Sequence, residues 1–268
     1  MSHKTLEAHY APNRKLALSM GFSGYNCGYA ELATADTFEQ HQRTLVWRLL
    51  DDTPITGEST VLDAGCGIGG PATWIFERYR PRRVIGLEYL WPSVQHASRS
   101  ARASGLPLHF VQGDAHDLPV ADASVDVVFN LESALHYADK DAFIAECRRV
   151  LKPGGRLCLG DITTNHKALF APLTLLNKLP TQFNSNLHLW SDEDYRNAFL
   201  QQGLKVVRHQ RVSRRVAASL ADGLGEIGRR GWAAARGFRA RCAYLRVLKA
   251  LLNSGRLSYD LFIVRRDA

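Results

Sequence analysis

The strongest constraint on this chain is an alternation of strand-like and helical segments between residues 60 and 161. Five short runs rich in Val, Leu, Ile and Phe are interspersed with stretches that carry the longer apolar spacing of helices. Such alternation builds βαβ units, in which parallel strands form one sheet with helices on both faces. Ligands of such sheets bind at the carboxyl ends of the strands. The five predicted strands are 60–64, 83–88, 108–112, 124–130 and 156–161.

The segments outside this alternation predict two lids and the last two strands of the sheet. A helical block at 37–50 lies in residues 1–52, which we expect to form an N-terminal helical lid on a main domain at 53–268. Residues 162–190 contain two prolines and an apolar cluster, and we expect them to form a lid inserted after the fifth strand. The remaining predicted elements are a helix that begins at a capping box at Ser191, a strand at 204–212, a basic amphipathic helix at 231–252 and a strand at 257–264.

The composition excludes several protein classes. The chain has 268 residues, of which 46% are hydrophobic and 22% charged, as in globular domains and unlike disordered or collagenous chains. No apolar run approaches the ~20 residues that cross a bilayer, and no signal peptide is recognisable, so we expect a cytoplasmic protein. The five cysteines form no C-x-x-C pair, which predicts free thiols and no metal site.

The formal net charge of +8 is unevenly distributed. Residues 205–268 carry 15 basic and 4 acidic side chains, whereas residues 1–204 carry 19 and 22. One interpretation is a solvated helix face. The other is that some of these arginines attract an anionic acceptor, an acyl group bound to a carrier protein, or a membrane surface.

A glycine-rich turn follows the first predicted strand. Residues 65–70 read Gly-Cys-Gly-Ile-Gly-Gly, and glycines allow the backbone to pass close under a ligand at a helix N-terminus. The pattern also fits a dinucleotide site, with Glu88 at the end of the second strand as the ribose-binding acid. Asp63 argues against that interpretation, because its charge would repel a pyrophosphate and attract a cationic ligand such as S-adenosylmethionine.

Polar residues at three further strand ends support the same ligand. Glu88 can accept both ribose hydroxyls, Asp114 can accept the adenine amino group, and Asn130 ends the fourth strand beside the methionine part. Each alone is an ordinary surface or capping residue. In series, at strand ends that meet at one crevice, they indicate a common binding site.

These residues resemble the class I S-adenosylmethionine-dependent methyltransferases, in particular the branch with sterol C-methyltransferases, ubiquinone and menaquinone methyltransferases and natural-product methyltransferases. The resemblance is carried by VLDAGCGIGG, VIGLE, QGDAHDLPVADASVDVVFN and RRVLKPGGRLCLGD. It implies an α/β, Rossmann-like seven-stranded sheet of order 3-2-1-4-5-7-6 with strand 7 antiparallel. It also implies that the cofactor is bound by Tyr25, Gln42, Asp63, Gly65, Cys66, Gly67, Glu88, Asp114, Ala115 and Asn130.

The N-terminal part of that set is similar to segments that close over cofactor and acceptor in such enzymes. The resemblance implies that Gln42 holds the cofactor carboxylate. Tyr25 and Tyr29 either face the sulfonium, as aromatic rings attract cations, or pack the N-terminal helix onto the sheet. Tyr29 and Tyr137 are the predicted contacts to substrate.

Two residues after the fourth strand are candidate bases. His136 is the first, because it titrates near neutral pH and follows the strand end directly. Glu132 is the second, and would also suit an alkene acceptor by stabilising a carbocation. The alternative for His136 is a packing histidine.

We therefore expect a methyltransferase that acts on a small, hydrophobic metabolite at O, N or C, with S-adenosyl-L-homocysteine as product. One alternative is an RNA methyltransferase, disfavoured because Asn130-Leu-Glu-Ser133 lacks the Pro-Pro-aromatic motif of enzymes that methylate base amines. The other is a cofactor-binding protein without turnover. The sequence leaves the oligomeric state open.

Overall fold

The structure is a computed structural model. It describes residues 23–31, 37–166, 187–230 and 238–267, together with positions 11, 14, 15, 17, 18 and 21. The apolar cluster of the predicted inserted lid, which comprises Leu173, Leu175, Leu176, Leu179 and Phe183, lies outside the described residues.

A seven-stranded sheet forms the centre of the molecule. Its order is β3-β2-β1-β4-β5-β7-β6, and β7 runs antiparallel to both β5 and β6, which confirms the predicted topology. The strands are β1 (Thr60–Ala64), β2 (Arg83–Glu88), β3 (Leu108–Gln112), β4 (Val125–Leu131), β5 (Leu151–Thr163), β6 (Leu204–Arg211) and β7 (Ser258–Arg266).

Helices connect and cover these strands. A 3-10 helix at Ala134–His136 follows β4. The α-helices are α1 (Phe38–Leu50), α2 (Gly70–Tyr79), α3 (Trp91–Ala103), α4 (Lys140–Val150), α5 (Asp192–Gln201), α6 (Ser213–Arg229) and α7 (Phe238–Asn253).

The two faces of the sheet bury separate apolar clusters, because successive side chains of a strand point to opposite faces. Val61 of β1 belongs to a cluster with residues of α1, α2, α6 and α7, such as Trp74. Its neighbour Leu62 belongs to the other cluster, with residues of α4 and α5 such as Phe143. Each fully buried side chain of this kind contributes roughly 1.5–3 kcal/mol of transfer free energy. The sheet is therefore held from both sides, and the carboxyl ends of β1, β2 and β4 are fixed relative to one another.

Two helix starts match their sequence signals. Thr37 caps α1 and Ser191 caps α5, and in both the residue three positions later completes a capping box. Both helices begin where the sequence predicts, because the cap is a local signal.

One predicted strand begins earlier in the structure, one helix is additional, and one predicted helix start cannot be compared. Strand β5 begins at Leu151 rather than at 156, since Leu151 already pairs with Val125 of β4. The Lys-Pro-Gly-Gly segment lies in a register shift, and pairing resumes at Arg156. Helix α6 was not predicted; it contains three glycines, each of which costs about 1 kcal/mol in helix propensity. Helix α7 begins at Phe238, and the predicted start at 231 lies outside the described residues.

Several arginines of the basic C-terminal part are used within the fold. Arg208 donates to the backbone carbonyls of α1, Arg211 to the buried Asp260, and Arg266 to the carbonyl of Arg148. Such contacts favour a structural role for part of the positive charge. No helix among the described residues is long and apolar enough to cross a membrane.

Candidate active site

The turn between β1 and α2 leaves little room for a side chain at two of its glycines, Gly65 and Gly67. Gly65 and Gly67 have φ values of 85° and 56°, in the left-handed region that favours glycine. A Cβ at Gly65 would lie 2.0 Å from the hydroxyl oxygen of Ser133, and a Cβ at Gly67 would lie 3.0 Å from the ring of Tyr25. The amide of Gly65 donates to the carbonyl of Leu87, which fixes the turn against β2. The backbone is therefore enclosed between the loop after β4 and the N-terminal segment.

Asp63 is a buried carboxylate with an unused oxygen. The residue is 1% exposed, and its Oδ2 has no hydrogen-bond partner among the described residues. Burial, and then the charge of Glu88, raises the pKa of Asp63 to about 8. A buried carboxylate oxygen without a partner is costly, and a cationic donor placed against it would restore the charged form.

Glu88 stands at the end of β2 and holds the glycine turn. Its Oε2 accepts a hydrogen bond of 3.1 Å from the amide of Gly67, and its Oε1 accepts one of 2.9 Å from the amide of Leu90. Burial raises the pKa of this carboxyl. Both oxygens are thus fixed in position and each keeps a lone pair for a further donor.

The loop after β3 places an acid and a histidine together. Asp114 Oδ1 accepts from the amide of His116 at 2.9 Å and from its Nδ1 at 2.6 Å. Burial alone would raise the pKa of Asp114, but these hydrogen bonds outweigh it and the net shift is downward. The neighbouring Ala115 is buried and offers an apolar wall.

Asn130 links the ends of β1 and β4. Its Nδ2 donates to the carbonyl of Ala64 at 2.7 Å and to the hydroxyl of Tyr137 at 3.3 Å, and its Oδ1 accepts from the amide of Ala134. Both amide hydrogens are therefore engaged inside the protein. Asn130 shapes the floor of the crevice and the turn that carries His136.

His136 ends the 3-10 helix after β4 and is half-buried. Its amide donates to the carbonyl of Ser133 at 3.0 Å. The next residue, Tyr137, forms a 2.8 Å hydrogen bond with the hydroxyl of Ser133, the same hydroxyl that closes over Gly65. The loop with the first candidate base is therefore joined to the glycine turn.

Glu132 binds the N-terminal segment. Its φ of 51° is a left-handed conformation that costs a non-glycine residue of order 1–3 kcal/mol. Its Oε1 accepts from the amide of Cys27 and from the hydroxyl of Tyr259, both at 2.7 Å. The thiol of Cys27 lies 3.3 Å from Oε2. The second candidate base is therefore engaged with protein donors on both oxygens.

The crevice lies in a part of the chain that is similar to known proteins. Residues 62–159 match the family described as a methyltransferase domain. This stretch is similar to a methyltransferase domain, and the sheet around it has the strand order of the class I methyltransferase fold. That match spans the glycine turn, Glu88, Asp114, Asn130 and the candidate bases.

Curated relatives of the chain act on varied acceptors. The chain is 33% identical over 172 residues to the fatty-acid O-methyltransferase of Mycolicibacterium smegmatis, which covers 59% of this chain and 62% of the relative. It is 36% identical over 139 residues to the erythromycin 3''-O-methyltransferase of Saccharopolyspora erythraea, which covers 51% and 45%. The chain thus spans about half to three-fifths of the length of these two relatives.

Solved structures share this fold over nearly the whole chain. The [4+2]-cyclase SpnF has a TM-score of 0.78 at 21% identity and covers 98% of this chain, which covers 94% of SpnF. Geranyl diphosphate C-methyltransferase from Streptomyces coelicolor, solved with S-adenosyl-L-homocysteine, has a TM-score of 0.72 at 19% identity, with coverages of 91% and 93%. Because one of these folds is named as a cyclase, the fold alone does not establish methyl transfer.

Two predicted site residues have recorded contacts within the protein. Both amide hydrogens of Gln42 are donated to backbone carbonyls, at 3.2 Å to Gly24 and 2.8 Å to Asn26, so none remains for a cofactor carboxylate. Tyr29 is buried, with the guanidinium groups of Arg48 and Arg215 within about 6 Å of its ring, and belongs to the core beside α1. These contacts favour a role for both residues in holding the N-terminal segment, and their contacts to cofactor and substrate stay predictions.

The other predicted residues lie around the glycine turn. Tyr25 lies against Gly67, and Cys66 is a buried thiol packed near Gly86. Burial raises the pKa of Tyr137, whose ring is 5.4 Å from that of His116. Within the part of the chain that the structure describes, no three His, Cys, Asp or Glu side chains are grouped so as to hold a metal ion.

Three residues near the crevice were missed by sequence reasoning. Asn26 is buried and its Nδ2 has no partner among the described residues. His116 Nε2 is likewise buried and unpartnered among them, although the Asp-x-His spacing is a visible turn signal. Lys140 is buried beside the loop of His136, and no local pattern in the sequence distinguishes it from an exposed lysine at a helix start.

Proposed function

We propose that this chain transfers a methyl group from S-adenosylmethionine to a small, hydrophobic acceptor, with an oxygen as the favoured atom. The observation that carries the proposal is the unpartnered, buried Oδ2 of Asp63 beside the glycine turn. An ammonium group supplies the donor that this oxygen lacks and favours the charged form of the carboxyl, whereas a pyrophosphate supplies no donor and disfavours that form.

The residues around the turn fit the rest of the cofactor. Asp63 would accept from its ammonium group, Glu88 from its ribose hydroxyls and Asp114 from its adenine amino group. Tyr25, whose ring lies against Gly67, would face the sulfonium, an attraction worth about 0.5–2 kcal/mol. S-adenosylmethionine supplies a methyl carbon that is already activated for in-line displacement, so the protein contributes mainly alignment.

We assign His136 as the base for a hydroxyl acceptor. Its position after β4 places it in the loop that is joined to the glycine turn through Ser133 and Tyr137. Proton removal by a positioned imidazole is worth about 10²–10⁴ in rate. Glu132 is less suited, because Cys27 and Tyr259 already occupy its oxygens, and we propose that it holds the N-terminal segment instead.

The favoured acceptor follows from the names of the relatives. Three are named as O-methyltransferases, of a fatty acid, of erythromycin and as cnsE of Penicillium expansum. We also propose that residues 1–52 and 162–190 form lids over the site. The proposal further includes an anionic or carrier-bound acceptor and a cytoplasmic location.

The experiment that tests it uses S-adenosylmethionine with a labelled methyl group. Purified protein is incubated with oleic acid, a hydroxylated macrolide and total RNA in separate reactions. Label in either small molecule supports the proposal. Label in RNA alone favours the RNA methyltransferase, and cofactor binding without transfer to a broad metabolite extract favours the protein without turnover.

A further inference from the structure

The ammonium group of Lys140 is buried at the start of α4. The residue is 1% exposed. Its Nζ donates to the carbonyl of Tyr137 at 3.3 Å and to the carbonyl of His188. The ring of Trp190 lies 5.6 Å away as a third, cation-π partner. An ammonium group has three N–H donors, and two of them are used by these backbone carbonyls.

The two carbonyls belong to segments that are far apart in the sequence. Tyr137 follows His136 directly, whereas His188 lies in the segment 187–190 that leads into α5. Lys140 is thus the side-chain connection between the loop with the candidate base and a segment about 50 residues further along the chain.

Backbone hydrogen bonds join the same segments. The amide of His188 donates to the carbonyl of Leu135 at 2.7 Å, and the amide of Thr164 donates to the carbonyl of Trp190 at 3.0 Å. The segment 187–190 is therefore attached both to the 3-10 helix and to the end of β5. The ammonium group of Lys140 lies where these attachments meet.

A buried aspartate balances the charge of Lys140. Asp161 of β5 is fully buried and accepts from the hydroxyl of Tyr195 at 2.5 Å and from the amide of Ile162 at 2.9 Å. Burial lowers the pKa of Lys140 to about 8, and Asp161 opposes that shift. Burial raises the pKa of Asp161 to about 6, and Lys140 opposes it. Each charge therefore favours the other in an interior that disfavours both.

We propose that Lys140 is a positioning residue that clamps segment 187–190 to the loop of His136 and so sets the acceptor side of the site. The inference rests on the proposed function. Burial of the side chain and its two hydrogen bonds to backbone carbonyls favour this positioning role over direct binding of an anionic acceptor.

The test replaces Lys140 by methionine, which keeps the length of the side chain and removes its donors. In Lys140→Met we expect the amide of His188 to exchange with solvent about tenfold faster or more, because its segment loses an anchor. The NMR signal of the His136 imidazole should shift, while that of the exposed His109 stays unchanged. Lys152→Met is the matched control, since Lys152 is only partly buried and pairs with Asp126 at the other end of β5.

A second variant guards against misfolding, because Lys140→Met leaves Asp161 as an unbalanced buried charge. In Lys140→Met/Asp161→Asn that charge is removed, and the same faster exchange at His188 and the same shift at His136 are expected. A folded variant in which both remain as in the wild type overturns the clamp. Failure of the wild-type protein to bind S-adenosylhomocysteine would overturn the proposed function instead. That binding measurement does not depend on the exchange rate at His188.

Discussion

The hydroxyl of Tyr259 in β7 donates a 2.7 Å hydrogen bond to Oε1 of Glu132 at the end of β4. Strand β7 is antiparallel, so its first residues lie at the same edge of the sheet as the ends of the parallel strands. Glu132 also holds the amide of Cys27. One carboxylate thus joins the last strand and the N-terminal segment at the crevice.

The Glu132–Tyr259 pair predicts a measurable coupling. In a cycle of Glu132→Gln, Tyr259→Phe and the double variant, we expect a coupling free energy of about 1.5–3 kcal/mol in urea unfolding, as for a buried hydrogen bond to a charged group. Glu132→Gln should also speed exchange of the Cys27 amide. Additive effects of the two substitutions would show that the contact does not stabilise the fold.

Asp63 predicts proton release when the cofactor product binds. With a pKa of about 8, this carboxyl is mostly protonated at pH 7, and an ammonium group placed beside it favours the charged form. Calorimetry in buffers of different ionisation enthalpy should therefore show release of about 0.5–1 proton per S-adenosylhomocysteine bound at pH 7. Asp63→Asn should bind more weakly and lose this release, whereas the exposed control Asp141→Asn should behave as the wild type. Equal release in wild type and Asp63→Asn would assign the proton to another group.

His136 predicts a loss of rate without a loss of cofactor binding. His136→Ala should lower kcat for a hydroxyl acceptor by about 10²–10⁴, because the proton then leaves without a positioned base. The affinity for S-adenosylhomocysteine should stay within about twofold, and the exposed His109→Ala serves as control. Full activity of His136→Ala from pH 6 to 9 would show that this imidazole is a packing residue.

A side chain at Gly65 would cause both a steric clash and backbone strain. A substitution at Gly203, where only the backbone strain applies, separates the two effects. Gly65→Ala places a Cβ against Ser133 in a left-handed conformation, whereas Gly203→Ala meets open space at a φ of 64°. The control should lose only about 1–2 kcal/mol of stability from the conformation itself. Gly65→Ala should lose clearly more, together with cofactor binding, as thermal unfolding and calorimetry would show. Equal losses would mean that Ser133 moves aside freely.

The sequence predicts the sheet well because its signals there are local. Thr60–Ala64 and Arg83–Glu88 are short apolar runs between turn residues, and the glycine turn needs the backbone freedom that glycine alone supplies. The polar residues at the strand ends follow from the parallel order. The strand order predicts that these polar residues lie near one another, but it does not predict their other contacts.

What the sequence could not predict depends on contacts between distant residues. Gln42 has its donors satisfied by carbonyls 16 and 18 residues earlier, and Lys140 meets His188 48 residues later. Helix α6 forms despite its glycines because Gly223 leaves room for the ring of Phe38, to which a Cβ would come within 2.8 Å. In α6, tertiary packing outweighs the low helix propensity of glycine.

The most direct test of the proposed cofactor site is calorimetric titration of the wild type with S-adenosylhomocysteine and, separately, with NADH. We predict saturable binding of S-adenosylhomocysteine, weakened by Asp63→Ala, and no binding of NADH, whose pyrophosphate has no donor for the unpartnered oxygen of Asp63. Binding of NADH together with failure to bind S-adenosylhomocysteine would contradict this prediction.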